Sequence, residues 1–258
     1  MNEASLHAAL AGLPISPVYF FETIGSTNDF AQSLADQAVP DGALVVADEQ
    51  TQGRGRVNRN WVTAPGAGLA FSLVLRPTTS EIENLGLFAP LCGLAVCRAL
   101  RERFKLNAEI KWPNDVLVNR RKICGILVEA HWLGSQLQDV IAGIGVNVAP
   151  SSVPPASNLL FPATCVENEL GRPLVREELL AAILEAFFAE RTRLGSATFF
   201  ETWLTWLAFK GERVRVEGPV SSHSGRVVGI SRDGSLRLSA ENGAEIEVAA
   251  GDVSFRTE

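Results

Sequence analysis

The sequence predicts an α+β fold, in which a mixed, mainly antiparallel sheet with helices precedes a small C-terminal β-barrel. Two observations support this prediction. Between residues 110 and 148, apolar runs follow one another through short polar turns, a spacing that favours antiparallel hairpins. From Gly211 onward the runs become shorter and alternate with polar residues, and Gly-Pro, Asp-Gly and Asn-Gly pairs separate them. We therefore predict a larger domain over residues 1–210 and a small barrel over residues 211–258.

The elements of the larger domain are predicted from apolar runs between turn residues. A helix follows the first strand, because Thr27 or Asn28 can cap it and Val39-Pro-Asp-Gly42 stops it near Ala38. A long, largely buried helix is predicted over residues 84–104, where apolar residues recur with helical spacing. The predicted strands of this domain cover residues 18–21, 44–47, 69–75, 110–112, 116–118, 123–129 and 140–148.

The segment after the last of these strands predicts a loop and then two helices. Residues 150–162 are rich in Ser and Pro, and we predict a loop because both flanking segments look core-forming. Helices are predicted over residues 175–194 and 198–209, with Gly195 as the stop signal between them. The predicted barrel strands cover residues 214–216, 226–230, 235–238 and 245–248.

The composition excludes several classes of protein. Of the 258 residues 47% are hydrophobic and 20% are charged, which is typical of a folded globular protein. No apolar run approaches the roughly 20 residues of a membrane span and no signal peptide is evident, so we expect a cytoplasmic protein without a membrane partner. The net charge of −6 argues against a general affinity for nucleic acid. The four cysteines and three histidines show no metal-site or disulfide spacing, so we expect reduced, mostly buried thiols.

The most informative segment is the Gly-Arg loop, Gln50-Thr-Gln-Gly-Arg-Gly-Arg-Val-Asn-Arg-Asn-Trp61. Gly53 and Gly55 can expose backbone N–H groups at close range, and arginine forks pair with phosphate or carboxylate oxygens. An aromatic ring such as Trp61 can stack on a base. The loop therefore indicates a phosphate-bearing ligand, although a solvated surface turn is the simpler alternative. We expect a mobile loop whose three arginines gain partners only when carboxylate and phosphate are present.

Three further motifs contain polar residues whose purpose folding alone does not fully explain. Gly25-Ser-Thr-Asn28 lies at a strand-to-helix junction, where a simple N-cap is the alternative. Lys111-Trp-Pro-Asn-Asp115 precedes Arg120-Arg-Lys-Ile-Cys-Gly125; a β-hairpin explains the Pro-Asn-Asp turn but not the flanking lysines and aspartate. In Gly143-Ile-Gly-Val-Asn147 alternate glycines in a strand predict the close approach of a ligand or another backbone.

Together, these motifs resemble those of biotin protein ligases, also called biotin–[acetyl-CoA-carboxylase] ligases. Gly-Ser-Thr-Asn, Gly-Arg-Gly-Arg, Lys-Trp-Pro-Asn-Asp, Lys-x-x-Gly-Ile-Leu-Val-Glu and Gly-Ile-Gly-x-Asn occur in this order, and the resemblance runs from about Val18 to the C-terminus. It implies the class II synthetase-like biotin–lipoate ligase fold with an SH3-like C-terminal barrel. It also implies a reaction in which biotin and ATP with Mg²⁺ give biotinyl-5′-AMP, followed by transfer of biotin to a lysine of a biotin carboxyl carrier protein.

The resemblance also implies a role for each motif residue. The expected catalytic residues are Arg54, Lys111, Asp115 and Lys122. The expected biotin contacts are Ser26, Thr27, Asn28, Gln50, Gly53, Arg54, Arg56, Lys122 and Gly125. The expected ATP contacts are Arg54, Arg56, Trp61, Lys111, Asn114, Lys122 and Asn147. No metal-ligating residue is expected.

Elementary chemistry agrees with these roles. The attack of one anion on another needs cations at the developing charge, for which Arg54, Arg56 and Lys122 are the candidates. Asp115 is expected near the incoming lysine and Lys111 near phosphate. Asn58 stands where many relatives carry a third glycine, and asparagine tolerates the positive φ of such a turn.

Several alternatives remain at this point. About 17 residues precede the first predicted strand, so we expect neither an N-terminal DNA-binding domain nor a nucleic-acid partner. Lipoate or octanoate ligation shares the fold but would dispense with the Ser-Thr-Asn and Gln set. A nucleic-acid-binding module would predict repeated Gly-Arg boxes, and the chain has one. The oligomeric state stays open, with a homodimer among the options.

Overall fold

The computed structural model describes residues 1–35, 37, 39–57, 59–61, 64–155, 161–218 and 221–254. The helices are α1 (Glu3–Ala9), α2 (Thr27–Ala35), α3 (Thr79–Ile82), α4 (Phe88–Glu102), α5 (Val166–Leu170), α6 (Arg176–Arg191) and α7 (Ala197–Thr205). The strands are β1 (Val18–Ile24), β2 (Ala43–Gln50), β3 (Gly68–Leu75), β4 (Ala108–Lys111), β5 (Asp115–Val118), β6 (Arg121–Leu133), β7 (Gln136–Asn147), β8 (Arg213–Glu217), β9 (Ser222–Ile230), β10 (Leu236–Ser239), β11 (Glu245–Val248) and β12 (Asp252–Ser254).

Seven strands form the main sheet in the order β1-β2-β3-β7-β6-β5-β4. Only β1 and β2 pair in parallel, because α2 carries the chain across the sheet between them. The remaining neighbours are antiparallel, which confirms the predicted mixed, mainly antiparallel sheet. All eight residues of β3 are buried, since α2 packs on the strand and its apolar side chains belong to the two hydrophobic cores.

Helices α4 and α6 pack together on one face of the sheet and complete the main apolar core. Gly93 of α4 faces Ile110 of β4, and a Cβ atom there would make an ordinary contact of 3.5 Å with that side chain. On the opposite face, α2 packs through Ala31 and Leu34 onto Val45 and Ile141. As a result, the N-terminus of α2 is held above β7 and β3.

The C-terminal strands form an antiparallel sheet in the order β11-β10-β9-β8-β12. Among the described strands no pairing joins β11 to β12, so by its hydrogen bonds this is an open sheet. Apolar residues of this sheet, including Val216 and Leu236, belong to the same core as the larger domain. The Trp112 indole donates to the Gly234 carbonyl at 2.9 Å, which fixes the β4–β5 hairpin against this sheet.

Several boundaries and short elements differ from the sequence prediction. The helix predicted over residues 84–104 is a 3₁₀ turn, Leu85–Leu87, followed by α4. The helix predicted to reach residue 209 ends at Thr205, because the chain then bridges to β4 through Leu207 and Ile110. The sequence analysis missed α1, α3, α5 and β12. Ala38, Asn58 and residues 156–160 of the predicted loop lie outside the described residues.

The cysteines agree with the sequence analysis. All four cysteines are buried and unpaired. Burial raises the pKa of the Cys92 thiol to about 12, so this thiol does not act as a nucleophile near neutral pH. No helix in the described ranges is both long enough and apolar enough to span a bilayer.

Candidate active site

A cavity of about 120 Å³ lies between the Gly-Arg loop, the N-terminus of α2 and the adjoining strands β6 and β7. It brings together residues from all five sequence motifs. The predicted site residues that line it are Ser26, Thr27, Asn28, Gln50, Arg54, Arg56, Trp61, Asn114, Asp115, Lys122 and Gly125. Gly53, Lys111 and Asn147 were also predicted but are not among the lining residues. Lys111 lies behind the cavity wall, where its Nζ atom contacts Asp115. Asn147, at the end of β7, donates to the Thr164 carbonyl at 3.0 Å.

One end of the cavity is formed by a polar network of Gln50, Thr27, Ser72 and Asn28. The Gln50 Oε1 atom accepts from the Thr27 backbone N–H at 2.8 Å and lies 3.0 Å from the Thr27 hydroxyl. The Ser72 hydroxyl, which is fully buried, lies 2.8 Å from the Thr27 hydroxyl and 2.6 Å from Asn28 Oδ1. The Gln50 Nε2 group has no acceptor among the described residues, so it can donate into the cavity.

The side-chain amide of Asn28 is hydrogen-bonded by several protein groups. Its Nδ2 group donates to the Leu127 carbonyl at 3.3 Å and to Glu129 Oε2 at 2.7 Å. A Cβ atom at position 143 would lie 2.1 Å from Asn28 Oδ1, so only glycine fits there. Both amide hydrogens of Asn28 therefore have protein acceptors.

The opposite end of the cavity carries a cluster of one carboxylate and two ammonium groups. Asp115 lies 2.6 Å from Lys122 Nζ through Oδ1 and 3.4 Å from Lys111 Nζ through Oδ2. The β4–β5 hairpin places Lys111 opposite Asp115, and the irregular β5–β6 pairing brings in Lys122. Burial alone would raise the pKa of Asp115, but Lys122 and then Lys111 hold that pKa below its usual value. Asp115 is therefore a carboxylate at neutral pH.

Trp61 packs on a glycine floor formed by β6 and β7. A Cβ atom at position 145 would lie 2.3 Å from Trp61 Cε2, and one at position 125 would lie 2.9 Å from Trp61 Cζ3. Lys122 Nζ lies 5.7 Å from the centre of the Trp61 ring. The close approach predicted for the alternate glycines is confirmed, and the groups that approach are the side chains of Asn28 and Trp61.

All three arginines of the Gly-Arg loop have protein partners. Arg54 forms paired hydrogen bonds to Glu129 at 2.7 and 2.8 Å and also contacts Asp29 at 2.7 Å. Arg56 donates to Asn114 Oδ1 at 3.2 Å, and a third arginine, Arg59, forms an ion pair at 2.5 Å. The expectation that these arginines gain partners only with substrate is therefore wrong. The pKa of Arg54 is raised, chiefly by its hydrogen bonds to Glu129.

The partner of Arg59 is Asp252, which comes from the C-terminal sheet and lines the cavity. It is the first residue of β12, a strand of three residues. The C-terminal region therefore contributes a side chain to the site. In the part of the chain that the structure describes, no group of three His, Cys, Asp or Glu side chains could hold a metal ion.

Comparison with known protein families agrees with this geometry. Residues 20–147 match the model of the biotin/lipoate A/B protein ligase family, and residues 210–256 match that of the biotin protein ligase C-terminal domain. The chain belongs to the biotin/lipoate A/B protein ligase family. Within that family its C-terminal sheet corresponds to the domain specific to biotin protein ligases, in agreement with the motif resemblance.

Individual members of the biotin/lipoate ligase family extend the match over most of the chain. The biotin–[acetyl-CoA-carboxylase] ligase of Paracoccus denitrificans is 35% identical over 89% of this chain and 97% of its own length. The bifunctional ligase/repressor BirA of Bacillus subtilis is 32% identical over 87% of this chain and 70% of its own length. The biotin protein ligase from Aquifex aeolicus in complex with biotin and ATP superposes with a TM-score of 0.79 at 30% identity, covering 94% of this chain and 99% of that one.

Sequence reasoning missed four residues of this ligase site: Asp29, Ser72, Glu129 and Asp252. Two of them could have been found from the sequence. Ser72 is the only polar residue in the apolar run of β3, and Glu129 ends the motif Lys-x-x-Gly-Ile-Leu-Val-Glu. Asp252 left none, because its position at the cavity depends on how the two sheets pack. Asp29 lies one residue after the Gly-Ser-Thr-Asn motif and resembles an ordinary acidic residue of a first helical turn.

Proposed function

We propose that this protein is an ATP-dependent biotin protein ligase that biotinylates a lysine of the biotin carboxyl carrier protein of a carboxylase. The main support is a single cavity with a polar hydrogen-bonding network at one end and a lysine-rich cluster at the other. The likeness to relatives named as biotin ligases favours biotin over lipoate as the acid. Such a carrier and ATP are both available in the cytoplasm, where we place the reaction.

The first step joins biotin to AMP. In this proposal the ureido ring of biotin occupies the polar network, with Gln50 Nε2 and Ser26 facing it. The biotin carboxylate then points toward Lys122 and Arg56, attacks the α-phosphorus of ATP and displaces pyrophosphate. Mg²⁺ enters with the nucleotide as MgATP. Lys122 and Arg56 stabilise the negative charge that develops between the biotin carboxylate and the α-phosphate.

Arg54 has a different part in this step from the one the sequence suggested. Its guanidinium already faces the carboxylates of Glu129 and Asp29, so its charge is largely neutralised. We therefore place Arg54 as the anchor of the Gly-Arg loop and assign the phosphate-facing charge to Arg56 and Lys122. Lys111 contributes indirectly, since it shares Asp115 with Lys122.

The second step transfers biotin to the carrier lysine. The neutral ε-amine attacks the biotinyl carbonyl, AMP leaves, and the lysine gives up a proton. Asp115 is the carboxylate next to this event, and its lowered pKa makes it a weak base. It therefore attracts and orients the incoming ammonium group, which gives one proton to solvent to become the attacking amine; the second proton, released as the amide forms, passes to AMP phosphate or solvent.

Labelled biotin provides the direct test. The purified protein with biotin, ATP and a carrier domain should produce acid-stable label on the carrier, and biotin-dependent exchange of pyrophosphate into ATP. Lys122→Ala should slow that exchange about 10²- to 10³-fold, the cost of losing one positioned charge donor in a transition state.

Arg121→Ala is the matched control, because Arg121 is the neighbouring cation but pairs with Glu169 outside the cavity. Lipoate and octanoate are offered in parallel as competing acids. Label on the carrier from lipoate but not from biotin, or an unaffected exchange rate in Lys122→Ala, would contradict the proposal.

A further inference from the structure

Glu129 occupies a junction between two parts of the site that are separate in sequence. Both of its carboxylate oxygens accept from Arg54, at 2.7 and 2.8 Å, and Oε2 also accepts from Asn28 Nδ2 at 2.7 Å. Arg54 belongs to the Gly-Arg loop, whereas Asn28 belongs to the polar network at the N-terminus of α2. One carboxylate on β6 therefore touches the loop and the network at the same time.

A second carboxylate allows the two contacts to be separated. Asp29 accepts from Arg54 Nε at 2.8 Å but makes no hydrogen bond to Asn28 among the described contacts. Asp29 can therefore hold the loop but cannot link it to the network. The side chain of Asp29 is 54% exposed, compared with 35% for Glu129, so the Glu129 contact is also the better shielded from solvent.

Polar contacts continue from Glu129 to the far wall of the cavity, with two hydroxyl protons, those of Ser72 and Thr27, shared among three contacts. Asn28 Oδ1 meets the buried Ser72 hydroxyl, which meets the Thr27 hydroxyl, which meets Gln50 Oε1. Asn28 is only 5% exposed, so its amide cannot turn toward water when Glu129 is changed. Position 129 therefore supplies the shorter of the two acceptor contacts that fix the Asn28 amide, the other being the Leu127 carbonyl.

We propose that Glu129 is a positioning residue that couples the biotin-binding network to the Gly-Arg loop. This inference rests on the proposed function, in which the network holds the ureido end of biotin. A ligand that fixes Gln50 and Thr27 also fixes Asn28 and Glu129, and Glu129 then holds Arg54 at the base of the loop. Binding of the first substrate in this way orders the loop that covers the second.

Hydrogen exchange of the loop amides measures this coupling. The amides of Gly55 and Trp61 report on the loop, because they bond the carbonyls of Arg59 at 2.7 Å and Gly53 at 2.8 Å. Glu129→Gln replaces one carboxylate oxygen by an NH₂ group and removes the charge, so Arg54 loses one of its two bonds to this side chain and the ion pair with it. Asp29→Asn is the matched control, since it weakens Arg54 without touching the network.

In the protein without substrate, Glu129→Gln should speed exchange at both amides about tenfold relative to Asp29→Asn, as expected for losing a charged hydrogen bond. Saturating biotin should slow exchange in the wild type and in Asp29→Asn, and much less in Glu129→Gln, where at most one neutral acceptor oxygen joins Arg54 to Asn28. Glu129→Asp, which is one methylene too short to reach both partners, should behave like Glu129→Gln and serves if that variant does not fold.

Unchanged exchange in Glu129→Gln without substrate, or biotin-dependent slowing as large in it as in the wild type, would overturn the proposal. The substrate-free comparison needs no assumption about the ligand. A wild-type protein that fails to bind biotin by calorimetry would instead contradict the proposed function, while the substrate-free comparison would still decide whether Glu129 holds the loop.

Discussion

Asp115 shows how two neighbouring cations can keep a nearly buried carboxylate ionised. Its side chain is 12% exposed, yet Lys122 and Lys111 lower its pKa against the effect of burial. The negative charge is thus maintained through the physiological pH range. Such a carboxylate repels the biotin carboxylate that attacks in the first proposed step. It attracts the ammonium group of the carrier lysine, so we assign it to the second step.

Asp115→Asn should therefore affect the two steps unequally. The substitution keeps the shape of the side chain and frees Lys122, so formation of biotinyl-AMP should stay within a few-fold of wild type. Transfer to the carrier lysine should slow by about 10²-fold, because the incoming ammonium loses its counter-charge. Single-turnover transfer from pre-formed biotinyl-AMP measures the second step alone. Failed adenylation with normal transfer would reverse the assignment.

At the scale of single elements, the glycines of β6 and β7 make room for side chains of the opposite wall. Glycine normally weakens a strand relative to alanine. Positions 143 and 145 nevertheless require glycine, because any Cβ atom there would overlap Asn28 or Trp61. The sequence pattern predicted close approach at these positions but not which groups approach, since both partners come from distant segments.

Gly145→Ala should destabilise the protein by about 1–3 kcal/mol through overpacking against Trp61. In a Trp61→Ala background the same change should be neutral or slightly stabilising, because alanine is the better strand residue once the ring is gone. Urea unfolding of the four proteins closes the double-mutant cycle. Equal costs of Gly145→Ala in both backgrounds would show that Trp61 does not sit on this floor.

The short helix α3 is fixed to α6 by a carboxylate. Glu81 accepts from the Thr78 backbone at 2.7 Å and from Arg191 at 2.6 Å. Burial opposes ionisation, but Arg191 and the Thr78 backbone lower the pKa of Glu81 below its usual 4.5. A lowered pKa adds stability above the usual value, and that stability is lost as the pH falls through the folded-state pKa.

Glu81→Gln should therefore cost about 1–3 kcal/mol at pH 7, and the difference from wild type should shrink steadily below about pH 4.5. Unfolding by urea at a series of pH values measures it. Glu83→Gln, at a neighbouring exposed carboxylate, should show little difference at any pH. A difference for Glu81→Gln that is the same at pH 3 and pH 7 would rule out an ionised Glu81 as its cause.

At the scale of the whole molecule, local sequence patterns predicted the helices and strands better than the side-chain contacts between them. Alternating and continuous apolar runs predicted every strand of the main sheet, and turn residues predicted its hairpins. The five motifs predicted most of the cavity wall. The pairing of Arg54 with Glu129 could not be predicted, because the two residues lie on separate elements. The role of Asp252 required the packing of one sheet against the other.

This packing changes what is expected of the C-terminal region. Because every predicted site residue lies at or before Asn147, the sequence alone predicts that residues 211–258 do not supply the chemistry and that residues 1–210 retain some biotin binding. The structure places Val216, Val227 and Leu236 in the same core as the larger domain, so truncation exposes apolar surface as well as removing Asp252. A point substitution at the contact is therefore the cleaner test of its function.

Asp252→Asn should weaken the hold of the C-terminal sheet on the Gly-Arg loop. Asp252 and Arg59 are 29% and 50% exposed, so solvent screens their attraction and the effect should be modest. We expect biotinyl-AMP to appear in solution about two- to fivefold faster, as an exposed ion pair of this kind allows, with folding stability nearly unchanged.

Glu241→Gln removes another ion pair of the same sheet, the one with Arg213, and should leave this leakage at the wild-type rate. Arg59→Ala should leak as much as Asp252→Asn, and the double variant should leak no more than either, because both changes break one contact. Leakage that adds in the double variant would show that the two residues act separately. The C-terminal sheet would then influence the loop by some route other than this ion pair.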